Sequence, residues 1–163
     1  MRSDNLESFP EWDDSGFRDD GDDWKTKPGR EAAKALYQEW RKLSELVFAF
    51  MDMLADDDRN PEQETEQQSI KRLIHENITL IGPKIGGAAS VELYLVKMEN
   101  ASIIRTNAIQ LLHQIRYAEM MNYVGKEYCE VLVKEVEEFR SLFKKWVTTF
   151  VKDDFEDEWG LYL

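Results

Sequence analysis

The chain has 163 residues, 33 acidic against 21 basic, for a formal net charge of −12. That length suits one domain able to bury a core of its own, and the charge repels phosphate backbones and anionic membrane surfaces at long range. Cys129 is the only cysteine, which excludes an intramolecular disulfide and a thiolate-rich metal site and favours a reducing, cytoplasmic compartment.

The first residues, MRSDNLESFPEWDD, carry no apolar run of a secretory signal, and no stretch is apolar for long enough to span a bilayer. Neither export nor membrane insertion is expected, so the sequons at Asn77 and Asn100 read as chance matches inside helices. Residues 1–28 mix Asp, Gly, Ser and Pro with Phe9, Trp12, Phe17 and Trp24 and show no helical period, the pattern of a flexible acidic arm.

From Ala33 the pattern changes. Leu36, Trp40, Leu43, Val47, Phe50 and Leu54 recur at spacings of three and four and share one helical face. The run Asp56-Asp57-Asp58-Arg59-Asn60-Pro61 ends that helix, with Asn60 as the N-cap of the next, Pro61 at its first position and Gln63 completing a capping box. Ile70, Ile74, Ile78, Ile81, Ile85 and Ala88 form the apolar face of the second helix. Gly82-Pro83 removes a backbone donor there, so a kink or break is expected between Thr79 and Pro83, and Gly86-Gly87 offers a stop.

Ser90 is the expected cap of a third helix whose stripe is Tyr94, Ala101, Ile104, Ala108, Leu111, Ile115 and Ala118. Gly125 follows its end near Met121 to Tyr123. The fourth helix carries Cys129, Leu132, Val136, Phe139, Phe143, Trp146 and Phe150 on one face. Each stripe needs cover, and the links are short, so the economical fold is all-α: an antiparallel up-down-up-down four-helix bundle over residues 29–152 with flexible acidic termini. Residues 153–163 form an acidic tail, negative where the dipole of the preceding helix disfavours negative charge.

The chemistry-bearing residues do not converge. Neither His75 nor His113 has the glutamate three residues earlier that a di-metal bundle uses. Glu92 and Glu99 read as solvated helix faces, and Cys129 lies on a core stripe, as a packed and inert thiol does. Gly82 to Ser90 lacks the Gly-Lys-Ser/Thr ending of a phosphate loop and follows a helix instead of a strand. Arg105 with His113, or Arg72 with His75, fall at spacings unsuited to a shared nuclease face. No catalytic residue, cofactor or metal site is expected.

Two features stand out. Val96, Asn100, Ile103, Asn107, Gln110, Gln114 and Tyr117 form a second, uncharged face on the third helix, which suits burial against another subunit in a homo-oligomer or enclosure within a monomer. Phe9, Trp12 and Phe17 at one terminus and Phe155, Trp159 and Tyr162 at the other are aromatics set among carboxylates, which keep a segment in solution while giving it anchors for a partner protein. Folding back onto the bundle is the alternative, above all for Trp24 beside the first helix.

The Ile81-Gly82-Pro83-Lys84-Ile85-Gly86-Gly87-Ala88-Ala89-Ser90 stretch, the long helix after it, and Glu135 to Leu142 in the fourth helix resemble the four-helix-bundle proteins related to those encoded in 23S rRNA intervening sequences. That group is in turn similar to accessory proteins of diversity-generating retroelements. The resemblance spans residues 31–150 and implies a homo-oligomeric ring of bundles, of the pentamer kind, acting as an adaptor without catalysis. Members that associate with nucleic acid are basic; this acidic chain departs from them, which leaves only a local patch such as Lys84, Lys97, Arg105 and Arg116 for RNA or DNA.

The sequence thus leads to a non-enzymatic, self-associating adaptor that binds a protein through its acidic aromatic ends. The alternative is an acidic inhibitor occupying a basic site on a nucleic-acid enzyme or toxin.

Overall fold

The structure, a computed structural model, describes residues 9–17, 21, 23–56 and 62–163. Among these residues it is all-helical, with α1 (Asp23–Met53), α2 (Glu66–Ala89), α3 (Tyr94–Met120) and α4 (Lys126–Val147), and no strand. Each helix packs on two others, α1 on α2 and α4, α3 on α2 and α4, so the four apolar stripes meet in one core. Leu36, Trp40, Leu43, Val47 and Phe50 of α1, the five isoleucines of α2, Ile104, Leu111 and Ile115 of α3, and Leu132, Phe139 and Trp146 of α4 are buried there. No helix is long and apolar enough to cross a membrane among the described residues.

Helix α1 starts ten residues before Ala33, where the pattern changes, and Pro28 lies inside it. Proline removes the donor that would bond the carbonyl four residues earlier; that carbonyl belongs to Trp24, in the first turn, beside a side chain that is 70% exposed. Gly29 lies against the far end of α4, where an added Cβ would stand 3.3 Å from Thr149 Oγ1.

Of the expected kink or break in α2, the break is absent: the helix runs unbroken through Gly82, Pro83, Gly86 and Gly87. A tertiary contact explains the glycine. A Cβ on Gly82 would lie 2.2 Å from the Trp40 ring, so the glycine is a notch that admits the indole, whose Nε1 donates to the Ile78 carbonyl at 2.7 Å. The bond holds α1 to α2 beside Thr79, the carbonyl that Pro83 leaves without its helical donor.

The caps also differ from expectation. Asn60 and Pro61 lie outside the described residues, and α2 is capped by Thr65, which accepts from Gln68 N at 3.2 Å while Gln68 Oε1 accepts from Thr65 N at 2.8 Å. The capping-box pattern occurs twice in the link, at Asn60 and at Thr65, and the second begins the helix. Gln63 precedes it. Ser90 closes α2 instead of opening α3, its hydroxyl donating to Gly87 O. Leu93, at the N-cap of α3, offers no side-chain acceptor, and the first N–H of α3 goes to Asp153 of the tail at 2.8 Å. Asn122 supplies the left-handed residue after α3, with φ of 56°, and Gly125 is the N-cap of α4.

Candidate functional site

The two acidic aromatic ends are placed very differently. At the N-terminal side, Phe9 lies 4.4 Å from Trp40 and 5.7 Å from Phe48, ring centre to ring centre. Trp12 stacks on Phe17 at 5.9 Å and meets Tyr37 edge-on at 5.5 Å. Polar contacts match the aromatic ones. Tyr37 Oη donates to Pro10 O at 2.8 Å, Trp12 Nε1 to Asp14 Oδ1 at 2.8 Å, and Lys34 Nζ to Asp14 Oδ2 at 2.7 Å. Arg30 sits over the Phe17 ring. The bonds from Lys34 and then Trp12 hold the Asp14 carboxyl below the ordinary value of 3.8.

Residues 9–17 are therefore a strap along α1, and Phe9, Trp12 and Phe17 are occupied by the chain's own bundle. Trp24, for which folding back was the alternative, is exposed.

The tail leaves Phe155 and Trp159 exposed and turns Tyr162, half-buried, back onto α3. Asp153 fixes its start to α3, and Tyr162 Oη pairs with Ser102 Oγ at 2.9 Å near its end. Between these points Asp157 closes a turn: its carbonyl accepts from Gly160 N at 2.9 Å and its Oδ2 from Trp159 N and Leu161 N at 3.0 and 3.1 Å. Gly160 has φ of 74°, which glycine adopts without a Cβ clash. The outcome is an indole at the turn, 89% exposed, with Phe155, Leu161 and Leu163 also exposed.

The second face of α3 is mostly used inside the chain. Asn107 is buried and donates to Ile103 O at 2.9 Å; Asn100 donates to Val96 O at 2.8 Å and faces Gly87 of α2. Tyr117, together with Tyr123, donates to the Glu66 carboxylate in the first turn of α2, which lowers the Glu66 pKa and pushes the Tyr123 hydroxyl up to about 12. Val96 and Gln114 are half-buried, and only Ile103 and Gln110 of this face are exposed. An uncharged stripe beside the apolar one is what a helix shows when it packs on two neighbours. Compared with family models, with curated proteins and with solved structures, the chain finds no match.

Two arrangements escaped the sequence reading. On the α1–α4 seam, Glu39 faces Glu135, which is 8% exposed. Lys42 Nζ lies 2.5 Å from Glu135 Oε1 and 3.7 Å from Glu39 Oε1. Burial, then the bond to Glu135, pushes the Glu39 carboxyl up to about 7, while the same bond lowers Glu135. A proton on Glu39 bonded to Glu135 removes the repulsion between two carboxylates in contact, and Lys42 meets the charge that stays on Glu135. Both glutamates fall within core stripes, Glu39 between Leu36 and Leu43, Glu135 between Leu132 and Phe139, and that placement was the available signal.

The other is a groove of about 340 Å³ between α3 and α4. Its walls include Ala108, Ile109, Leu112 and Phe143, and Arg105, Arg140 and Lys144 line it as well. Phe143, assigned to the core by its spacing, is half-buried and opens onto this groove. Ile109 and Leu112 lie outside the predicted α3 stripe, at four and seven residues from Arg105, so an apolar lane with a cationic start was readable there.

Cys129 is buried, and burial raises its thiol pKa, the opposite of what nucleophilic use needs. His75 and His113 are exposed, and no group of three or more metal-ligating side chains occurs among the described residues.

Proposed function

We propose that the chain is a non-enzymatic adaptor that engages another protein through its C-terminal tail. One observation carries this: Trp159 is held at a hydrogen-bonded turn with its indole 89% exposed, among the exposed carboxylates of Asp154, Glu156 and Glu158. A large aromatic presented in a preset turn loses little conformational freedom on binding, the property of an interface anchor. Phe155 and Tyr162 flank it; Phe9, Trp12 and Phe17 serve the strap instead.

The bundle beneath the tail is, in this reading, antiparallel and up-down-up-down. Three contacts support it: Gly29 near the start of α1 against Thr149 past the end of α4, Tyr117 near the end of α3 on Glu66 at the start of α2, and Asp153 past α4 on the start of α3. Self-association belongs to the same proposal, as does the likeness to the intervening-sequence and retroelement accessory proteins, which implies an adaptor without catalysis. A cytoplasmic setting fits the lone buried cysteine.

The test is quantitative capture with full-length wild type, Trp159→Glu and Trp12→Ala as bait. A protein retained by wild type and by Trp12→Ala but lost with Trp159→Glu is the expected result; equal retention by all three removes tail docking. Repeating the capture at high salt separates the inhibitor alternative, carried by the net charge of −12. An electrostatic complex on a basic site weakens steeply as salt rises, whereas an aromatic anchor persists.

A further inference from the structure

We infer that the groove between α3 and α4 is the receptor for the Trp159 turn of a second copy of this chain. The inference rests on the tail-docking reading and names the partner of that tail.

The groove is a cationic place on an anionic molecule. Arg105 and Lys144 are exposed and make no ion pair among the described residues, while Arg140 is paired with Glu137, which also lines the groove, so that three cations there face one carboxylate. Between them, Ile109, Leu112 and Phe143 offer an apolar floor. The volume of about 340 Å³ falls at the lower end of the ~300–1,000 Å³ of ligand pockets and has room for one indole.

The occupant that matches is an aromatic anchor flanked by carboxylates, which is the composition of residues 153–163: Phe155 and Trp159 among Asp153, Asp154, Glu156, Asp157 and Glu158. A chain whose surplus is 12 negative charges has few surfaces that attract such a segment from another copy. The α3–α4 groove supplies both the charge and the apolar floor.

The tail does not fill its own groove. Its pins to Tyr94 and Ser102 hold it along the first turns of α3, whereas the groove begins at Arg105, and the indole stands almost wholly in solvent. Tail and groove are different surfaces of one molecule, so the contact is heterologous and each copy can both give a tail and receive one. Growth then depends on concentration.

Complementation of two full-length variants tests this by light scattering on a size-exclusion column across a concentration series. Trp159→Glu lacks the anchor and keeps the groove; Arg105→Glu with Lys144→Glu lacks the cationic rim and keeps the tail. Wild type should grow in mass with concentration, and each variant alone should weaken self-association by at least about tenfold, the effect of losing an anchor residue. Mixed, the two variants should form a dimer of one each, which also shows that both fold. A wild type that stays monomeric throughout, an assembly that neither variant weakens, or two monomeric variants that ignore each other when mixed each overturns the inference. If self-association fails while Trp159→Glu still loses a captured protein, the tail-docking reading stands and its partner is not this chain.

Discussion

The strap at residues 9–17 and the tail at 153–163 have the same chemistry, aromatics spaced by carboxylates, and opposite fates. The strap lies over Tyr37, Trp40 and Phe48, with Lys34 and Arg41 beside it to meet Asp14 and Glu11. The tail crosses the start of α3, where the contacts are polar: the backbone N–H of Tyr94 and the hydroxyl of Ser102. The strap packs on a surface that has both aromatic rings and cations, whereas the tail is held by hydrogen bonds and leaves Phe155 and Trp159 exposed.

That contrast is broken most severely at Gly82. Alanine normally stabilises a helix interior by ~0.5–1 kcal/mol relative to glycine. Here its Cβ would collide with the Trp40 ring, the platform on which Phe9 rests. Gly82→Ala should destabilise by about 3 kcal/mol, as overpacking does, and loosen the strap without moving the tail. Denaturant unfolding reads the first effect and amide hydrogen exchange of residues 9–17 the second.

Trp12→Ala comes next, at about 2 kcal/mol by chemical denaturation, below the ~3–5 kcal/mol of truncating a fully buried aromatic because Trp12 keeps one side in solvent.

Glu39→Gln tests the seam between α1 and α4. Folded Glu39 keeps its proton up to about 7, against an ordinary 4.5, so between those values the folded state binds more protons and stability falls as pH rises. The variant imitates the protonated form, and its thermal midpoint should overtake that of wild type as pH climbs through that window. The gain is on the order of 1 kcal/mol, since the opposite shift of Glu135 offsets part of it.

Acid should sharpen the comparison further. The depressed pKa of Asp14 stabilises the strap above 3.8 and ceases to do so as pH falls through its folded value. The Trp12 indole N–H resonance, bonded to Asp14, should shift on acidification, while that of Trp40, bonded to a backbone carbonyl, stays in place.

The smallest effect belongs to Trp159→Ala, less than about 0.5 kcal/mol on unfolding. A loss near that of Trp12→Ala would show that the tail aromatic is structural after all, which would undercut its proposed docking role.

The periodic stripes were legible because a side chain at three- and four-residue spacing must share a face whatever lies opposite, although Tyr94, Ala108 and Phe143 are only half-buried and Phe150 lies past the end of α4. Leu36 to Leu54 and Ile70 to Ala88 are buried as their spacing requires. Interruption and occupation were not legible. Gly82-Pro83 reads locally as a break, and only the Trp40 ring, 42 residues earlier in the chain, turns the glycine into a notch within a continuous helix. Nor could the uncharged face of α3 announce whether it met a second subunit or α2, since Asn100, Asn107 and Tyr117 serve either contact.

The sequence by itself determined the helical stripes, the single buried thiol and the acidic aromatic composition of both ends, because local spacing and charge need no distant partner. Only the tertiary structure decided which of those ends lies as a strap along α1 and which leaves its tryptophan exposed, and that a groove lined by Arg105, Arg140 and Lys144 opens between α3 and α4. Those outcomes depend on what surface each segment meets when the chain closes on itself, a property of residues far apart in sequence.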